Sequence, residues 1–148
     1  MALASLYGSL GSVALTDALL ALPTGSAQIA QEYTSLQQTL NLLGEGGDGH
    51  FGNNTAVTLA DPNIYAVRAT GFLNIKTGAY YSFGLNSDDG GRIKIDGQNV
   101  MVDDTNHGPA DHIGVAYLAA GLHSFEVIMW EGGGGDEVEF YAAFGNAT

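Results

Sequence analysis

From residue 63 onward the chain breaks into short alternating segments, separated about every 8–12 residues by glycine-bearing turns. That rhythm leaves few folds open. Residues two apart on a strand share a face. Residues 63–70, 79–85, 92–95, 100–102, 115–118, 122–130 and 138–144 therefore each offer an apolar side for burial. Tyr81, Phe83 and Leu85 share one such side, with Tyr80 on the other. Gly71 reads as a kink or bulge continuing the first of these strands into Phe72–Ile75. Asp96-Gly97-Gln98-Asn99 reads as a hairpin loop. The fold expected is all-β, an antiparallel, jelly-roll-like β-sandwich.

The preceding residues are less periodic. Asp17 to Leu22 predicts a short helical segment near the N-terminus, with Asp17 as N-cap and Pro23 as terminator. Ser26 to Leu43 admits an amphipathic helix or one or two strands. Gly44 to Gly49 is a loop. A length of 148 residues fits a single domain, 1–148. Ala2 to Leu22 has no basic start and is interrupted by Asp17, so it reads as neither a signal peptide nor a membrane span. No membrane insertion is expected.

Charge excludes more. Sixteen acids stand against four Lys and Arg, a formal net charge of −12, and eleven of those acids fall in residues 88–148. Such a surface repels nucleic-acid phosphates and anionic lipid. With no cysteine, a thiolate nucleophile, a disulfide framework and a Cys-based zinc site are all excluded. A cysteine-free acidic chain suits a module excised from a larger exported protein.

Two loops hold the candidate chemistry. In Ser87-Asp88-Asp89-Gly90-Gly91, adjacent side chains on a regular strand point to opposite faces, so Asp88 and Asp89 grip one ion only if the intervening peptide leaves the pleat, in the extreme by turning cis. The plain alternative is a solvated turn with two surface acids. In Glu131-Gly132-Gly133-Gly134-Gly135-Asp136-Glu137, the glycines let carbonyls turn inward between acids at both ends; a mobile hairpin tip is the alternative. Calcium takes 6–8 oxygens and mixes carboxylates with carbonyls, whereas magnesium and zinc demand stricter geometry or nitrogen and sulfur donors. No EF-hand spacing and no repeating nonapeptide is present.

The run from Tyr80 to Gly97, containing Asn86-Ser87-Asp88-Asp89-Gly90-Gly91, followed by Leu118-Ala119-Ala120-Gly121-Leu122-His123, resembles the protective-antigen-type β-sandwich domain. That family includes fungal flocculin lectins and modules of bacterial adhesins and glycosidases. The resemblance spans roughly residues 63–145. It implies a Ca2+ ion held by two aspartates joined through a cis peptide, completed by a later loop, and bonding directly to sugar hydroxyls. Asp88 and Asp89 occupy the place of the pair. By place rather than by letter, Asp136 and the carbonyls near Gly133 and Gly134 occupy that of the completing loop. Glu131 stands as a ligand or as a hydrogen-bond acceptor beside one. Asp88, Asp89, Glu131 and Asp136 would also meet the sugar, with His50 among the loop residues that select it.

The function expected is a calcium-dependent carbohydrate-binding module of a secreted or cell-surface adhesin, monomeric in isolation, with glycans as partners. The alternatives are a calcium-stiffened spacer that binds no glycan, or an accessory domain of a glycosidase. An enzyme is not expected. Adjacent aspartates do not supply the separated acid and nucleophile of glycoside hydrolysis, and no Ser-His-Asp order, phosphate loop or zincin motif occurs. Asp103, Asp104, Thr105, Asn106 and Asp111 read as a solvated loop or a second calcium site. His107 and His112 read as loop residues without metal-ligand spacing, His123 as a strand residue, and Trp130 as core.

Overall fold

A computed structural model describes residues 2–6 (backbone only), 10–52, 55–56 and 63–147. The chain runs through β1 (Ala2–Leu6), α1 (Val13–Leu20), β2 (Ile29–Thr34), β3 (Asn41–Leu43), β4 (Tyr65–Ile75), β5 (Ala79–Asp88), β6 (Gly91–Ile95), β7 (Gln98–Asp103), β8 (Ala110–Leu118), β9 (Gly121–Glu131) and β10 (Glu137–Phe144). Two antiparallel sheets form the expected sandwich. One has the order β2-β1-β4-β9-β6-β7 and the other β3-β10-β5-β8.

Alternation decides what lies between the sheets. Tyr65, Val67, Ile93, Val127 and Met129 from one sheet meet Phe83, Leu85 and Val138 from the other, and together they make the main core. The intervening residues Ala66 and Trp130 point outward on the six-stranded sheet, where Leu10 and Leu19 cover them. Trp130 is fully buried there, as a core residue.

The helix is present but capped differently from expectation. Ser12 is the N-cap, and its hydroxyl accepts from the Leu15 amide at 3.2 Å. With Ser12 starting the helix one turn earlier, Asp17 lies mid-helix, and its carboxylate is engaged elsewhere: Arg92 Nη1 and Nη2 donate to it at 2.6 and 2.8 Å. The ambiguous stretch 26–43 resolves as two strands, β2 and β3.

Gly71 is neither a kink nor a bulge. The β4–β9 register is continuous from Tyr65↔Glu131 to Ile75↔Gly121. A Cβ at Gly71 would lie 2.7 Å from Phe125 Cε1, so the glycine makes room for that ring. In the β6–β7 turn, Asp96 (φ 49°) and Gly97 (φ 77°) both adopt positive φ, as the tight two-residue hairpin requires. The segment 87–91 is mostly strand: β5 runs through Asp88 and β6 starts at Gly91, which leaves Asp89 and Gly90 to make the reversal. Among the described residues no helix is long and apolar enough to cross a membrane.

Candidate metal and sugar site

The Asp89–Gly90 reversal is clamped to the end of β9. The Asp89 amide donates to Trp130 O at 3.0 Å, and the Trp130 amide donates to Gly90 O at 3.2 Å. A side chain at position 90 would collide with Trp130, since a Cβ there lies 2.5 Å from Cη2. The glycines after Asp89 are thus needed for close approach. Glu131, the next residue on β9, is thereby carried against the reversal.

The peptide between Asp88 and Asp89 is cis. Both carboxylates are buried, at 6% and 5% exposure, and Glu131 is fully enclosed. One oxygen from each of Asp88, Asp89 and Glu131 falls in a group lying within 4.8 Å of one another. Asp89 is held at both oxygens: the His107 amide donates to Oδ1 and the Gly132 amide to Oδ2, each at 2.8 Å. The Gly133 amide donates to Glu131 Oε1 at 2.5 Å. Glu131 Oε2 is buried and has no hydrogen-bond partner.

Three buried carboxylates at this spacing repel one another. Burial, followed by the neighbouring Asp89, pushes the Asp88 carboxyl up to about 6. Burial pushes Glu131 up to about 8, with Asp88, Asp89 and Asp136 adding to the rise against the lowering effect of the Gly133 amide. An all-oxygen, anionic cluster with an orphaned buried acceptor fits a hard cation such as Ca2+. Glycines also crowd the cluster. A Cβ at Gly132 would lie 3.0 Å from Asp89 Oδ2, and one at Gly135 3.2 Å from Asp88 Oδ2. Gly133 and Gly134, both at φ 125°, carry the tip of that loop.

Asp136 is buried beside this group but bonded elsewhere. Its Oδ1 accepts from the Glu45 amide at 2.9 Å and its Oδ2 from the Tyr65 hydroxyl at 2.8 Å. The backbone reinforces the connection through Gly44 N to Asp136 O and Asp136 N to Glu45 O, at 2.9 and 3.0 Å. His50 belongs to a different set of contacts. Its Nδ1 is 2.9 Å from Asn86 Nδ2 and 3.4 Å from Glu139 Oε2, and its side chain is 43% exposed.

The sequence reading did not identify Glu137 and Glu139 as loop anchors. Both are fully buried on β10. Glu137 accepts from the amides of Asp48 and Gly49, and Glu139 from those of His50 and Phe51, at 2.7–3.2 Å. The available signal was their spacing: residues two apart on a strand, here paired across from Asp88 and Asn86, put four polar groups on one face. That row fixes the 44–52 loop beside the cluster.

The PA14 domain family profile matches residues 50–145. Among curated proteins no match is found. Among solved structures, the PA14 domain of the antifreeze protein MpAFP superposes with a TM-score of 0.67 at 16% identity, covering 97% of this chain and 81% of that one. A structure described as the PA14 sugar-binding domain from an RTX adhesin gives a TM-score of 0.65 at 20% identity, over 97% of this chain and 89% of that one. A β-glucosidase from Kluyveromyces marxianus in complex with glucose gives 0.57 at 14% identity, over 99% of this chain but only 16% of the glucosidase. At these identities the structural likenesses establish the fold, while the profile spans more than half of the sequence. The chain belongs to the PA14 domain family.

Proposed function

We propose that this PA14 domain is a calcium-dependent carbohydrate-binding module, with a Ca2+ ion held by Asp88, Asp89 and Glu131 together with carbonyls near Gly133 and Gly134. The observation that carries the proposal is the convergence of three buried carboxylates, one oxygen of which has no partner. When bound, the ion supplies open coordination positions that two vicinal sugar hydroxyls can fill in place of water. The carboxylates of Asp88 and Asp89 accept hydrogen bonds from those hydroxyls. The His107 and Gly132 amides keep Asp89 oriented for this. Asp136 takes part by anchoring the far end of the glycine loop to Glu45 and Tyr65. His50, at the edge of the 44–52 loop, contributes to the choice of sugar.

A sugar-binding domain of an adhesin among the structural neighbours supports this reading. It also supports an exported or cell-surface setting, with the domain forming one part of a larger adhesin. Such shallow sites bind weakly one at a time, and avidity from many copies compensates. The role is one of binding rather than catalysis. A second reading, an accessory module of a glycosidase, is favoured by the match to a small part of the β-glucosidase. The deciding experiment is a glycan array run on the full chain with Ca2+ and again with chelator. Binding lost on chelation supports the module, and calcium binding without any glycan binding supports a stiffened spacer instead.

A further inference from the structure

On the far side of Asp89, the segment that donates the His107 amide to it carries a second cluster of different chemistry. One ligand atom each from Asp103, His107 and His112 lies within 4.8 Å of the other two. Asp103 ends β7 and is 7% exposed, whereas His107 and His112 are partly exposed. No H-x-x-x-H spacing joins the two histidines in the sequence, where both read as loop residues. His107 does lie on the β7–β8 connection, but His112 is on β8, and the return of the chain from Asp103 at the end of β7 brings all three together.

The hydrogen bonds at the cluster leave one buried ring nitrogen, His112 Nδ1, without a partner, and set His107 against Asp103 in a contact that needs a proton or a cation between them. Asp103 Oδ1 is taken by the Thr105 hydroxyl at 2.6 Å, so Oδ2 faces the histidines. His107 Nδ1 lies 2.6 Å from the Gly108 carbonyl, which only an N–H can satisfy. In the neutral ring, Nε2 is then a lone-pair acceptor, and it points at Asp103 Oδ2. His112 Nδ1 sits 3.5 Å from the same oxygen, buried and without a hydrogen-bond partner. A proton on His107 would relieve the first conflict and leave His112 Nδ1 unserved. One cation serves all three atoms.

We infer that Asp103, His107 and His112 form a binding site for a zinc-class divalent cation, separate from the carboxylate cluster. Two imidazoles and one carboxylate are a donor set for Zn2+, Ni2+ or Cu2+ rather than Ca2+. Tetrahedral zinc with bonds of about 2.0–2.1 Å spaces its ligands about 3.3 Å apart, close to the 3.5 Å between His112 Nδ1 and Asp103 Oδ2, whereas His107 Nε2 sits in hydrogen-bond contact with Asp103 Oδ2 and must draw back from it to admit the ion. The bond that His107 Nδ1–H donates to the Gly108 carbonyl and the one that Asp103 Oδ1 accepts from the Thr105 hydroxyl are the supports that orient metal ligands. Three protein ligands leave a fourth position for water or an incoming group. Because the His107 amide also holds Asp89 Oδ1, the metal would brace the β7–β8 connection, residues 104–109, against the neighbouring site.

The test is calorimetric titration of the full chain with Zn2+ in saturating Ca2+, which removes the carboxylate cluster from competition. One Zn2+ per chain is expected. The double variant His107→Gln, His112→Gln should weaken it at least tenfold, while His123→Gln leaves it unchanged. Absence of zinc binding, an unaffected double variant, or loss on His123→Gln overturns the inference. Should the double variant fold poorly, Cu2+ broadening of imidazole NMR signals in the unsubstituted chain decides. Broadening at His107 and His112 supports the site, and broadening confined to His50 or His123 overturns it.

Discussion

The Tyr65 hydroxyl donates to Asp136 Oδ2 at 2.8 Å, joining the start of β4 to the end of the glycine loop inside the sandwich. Burial and the adjacent Asp136 carboxylate hold the phenol well above its usual range, so it remains a donor at all physiological pH. Tyr65→Phe removes one charge-assisted bond and leaves a buried carboxylate oxygen short of a donor. The expected cost is about 1.5–3 kcal/mol in a denaturant titration. A loss below about 0.5 kcal/mol would mean that the loop end is anchored by the Glu45 amide alone.

Calcium removal has a sign fixed by the repulsion at the cluster. Ca2+ at about 100 times its dissociation constant stabilises the fold by about 2.7 kcal/mol, or a Tm rise of about 5–10 °C for a domain of this size. Scanning calorimetry with Ca2+ and with EDTA measures it. Coincident transitions would remove the ion from the account.

Asp17→Ala tests the attachment of α1. Arg92 is 5% exposed and donates to Asp17 twice and to Glu126 once, at 2.6–3.0 Å. Arg92 holds the Asp17 carboxyl below its usual value, against burial, which raises it. Asp17 is itself half exposed and Glu126 remains in the variant, so the expected loss is about 1–2 kcal/mol. Amide exchange should accelerate in Val13–Leu20 while the β9 core stays protected. Uniform exchange across both would contradict the latch.

His123 and Asp96 close the β6–β7 turn onto β9, with Nδ1 2.6 Å from Oδ2. Asp96, then the Ala119 carbonyl, raise His123 above 6.5. The bond to His123, then the Ser124 amide, lower Asp96 below 3.8. For a raised histidine, the stabilisation is complete below pH 6.5 and disappears as pH climbs through the folded value. For a lowered aspartate, it is present above 3.8 and disappears as pH falls through the folded value. The pair therefore contributes most between those limits. An NMR titration should place the His123 midpoint above 6.5, and Asp96→Asn should move it down. A midpoint at 6.5 unmoved by that change would contradict the pairing.

The sandwich was legible in the sequence because period-two alternation and glycine turns are local signals carried by the strands from β4 to β10, although β8 starts at Ala110, ahead of the 115–118 segment, and takes in Asp111 and His112, which read as loop. The helix cap is misplaced in the sequence reading because Ser12 and Asp17 are both good capping residues; Ser12 takes the cap, and Asp17 is left free within the helix for the long-range pairing with Arg92. Gly71 was misread for a related reason: the demand for glycine comes from Phe125 on a neighbouring strand. At the site, the Asp88-Asp89-Gly90 run announced itself, whereas the anchoring by Glu137 and Glu139 depends on backbone amides about 90 residues earlier in the chain.

Central to the account is that Asp89 serves sugar binding through a metal. Glycan binding by the full chain should vanish on chelation, return with added Ca2+, and fall at least a hundredfold in Asp89→Asn with the fold intact by circular dichroism. Glycan affinity that persists in chelator, or that is unchanged in Asp89→Asn, would contradict it.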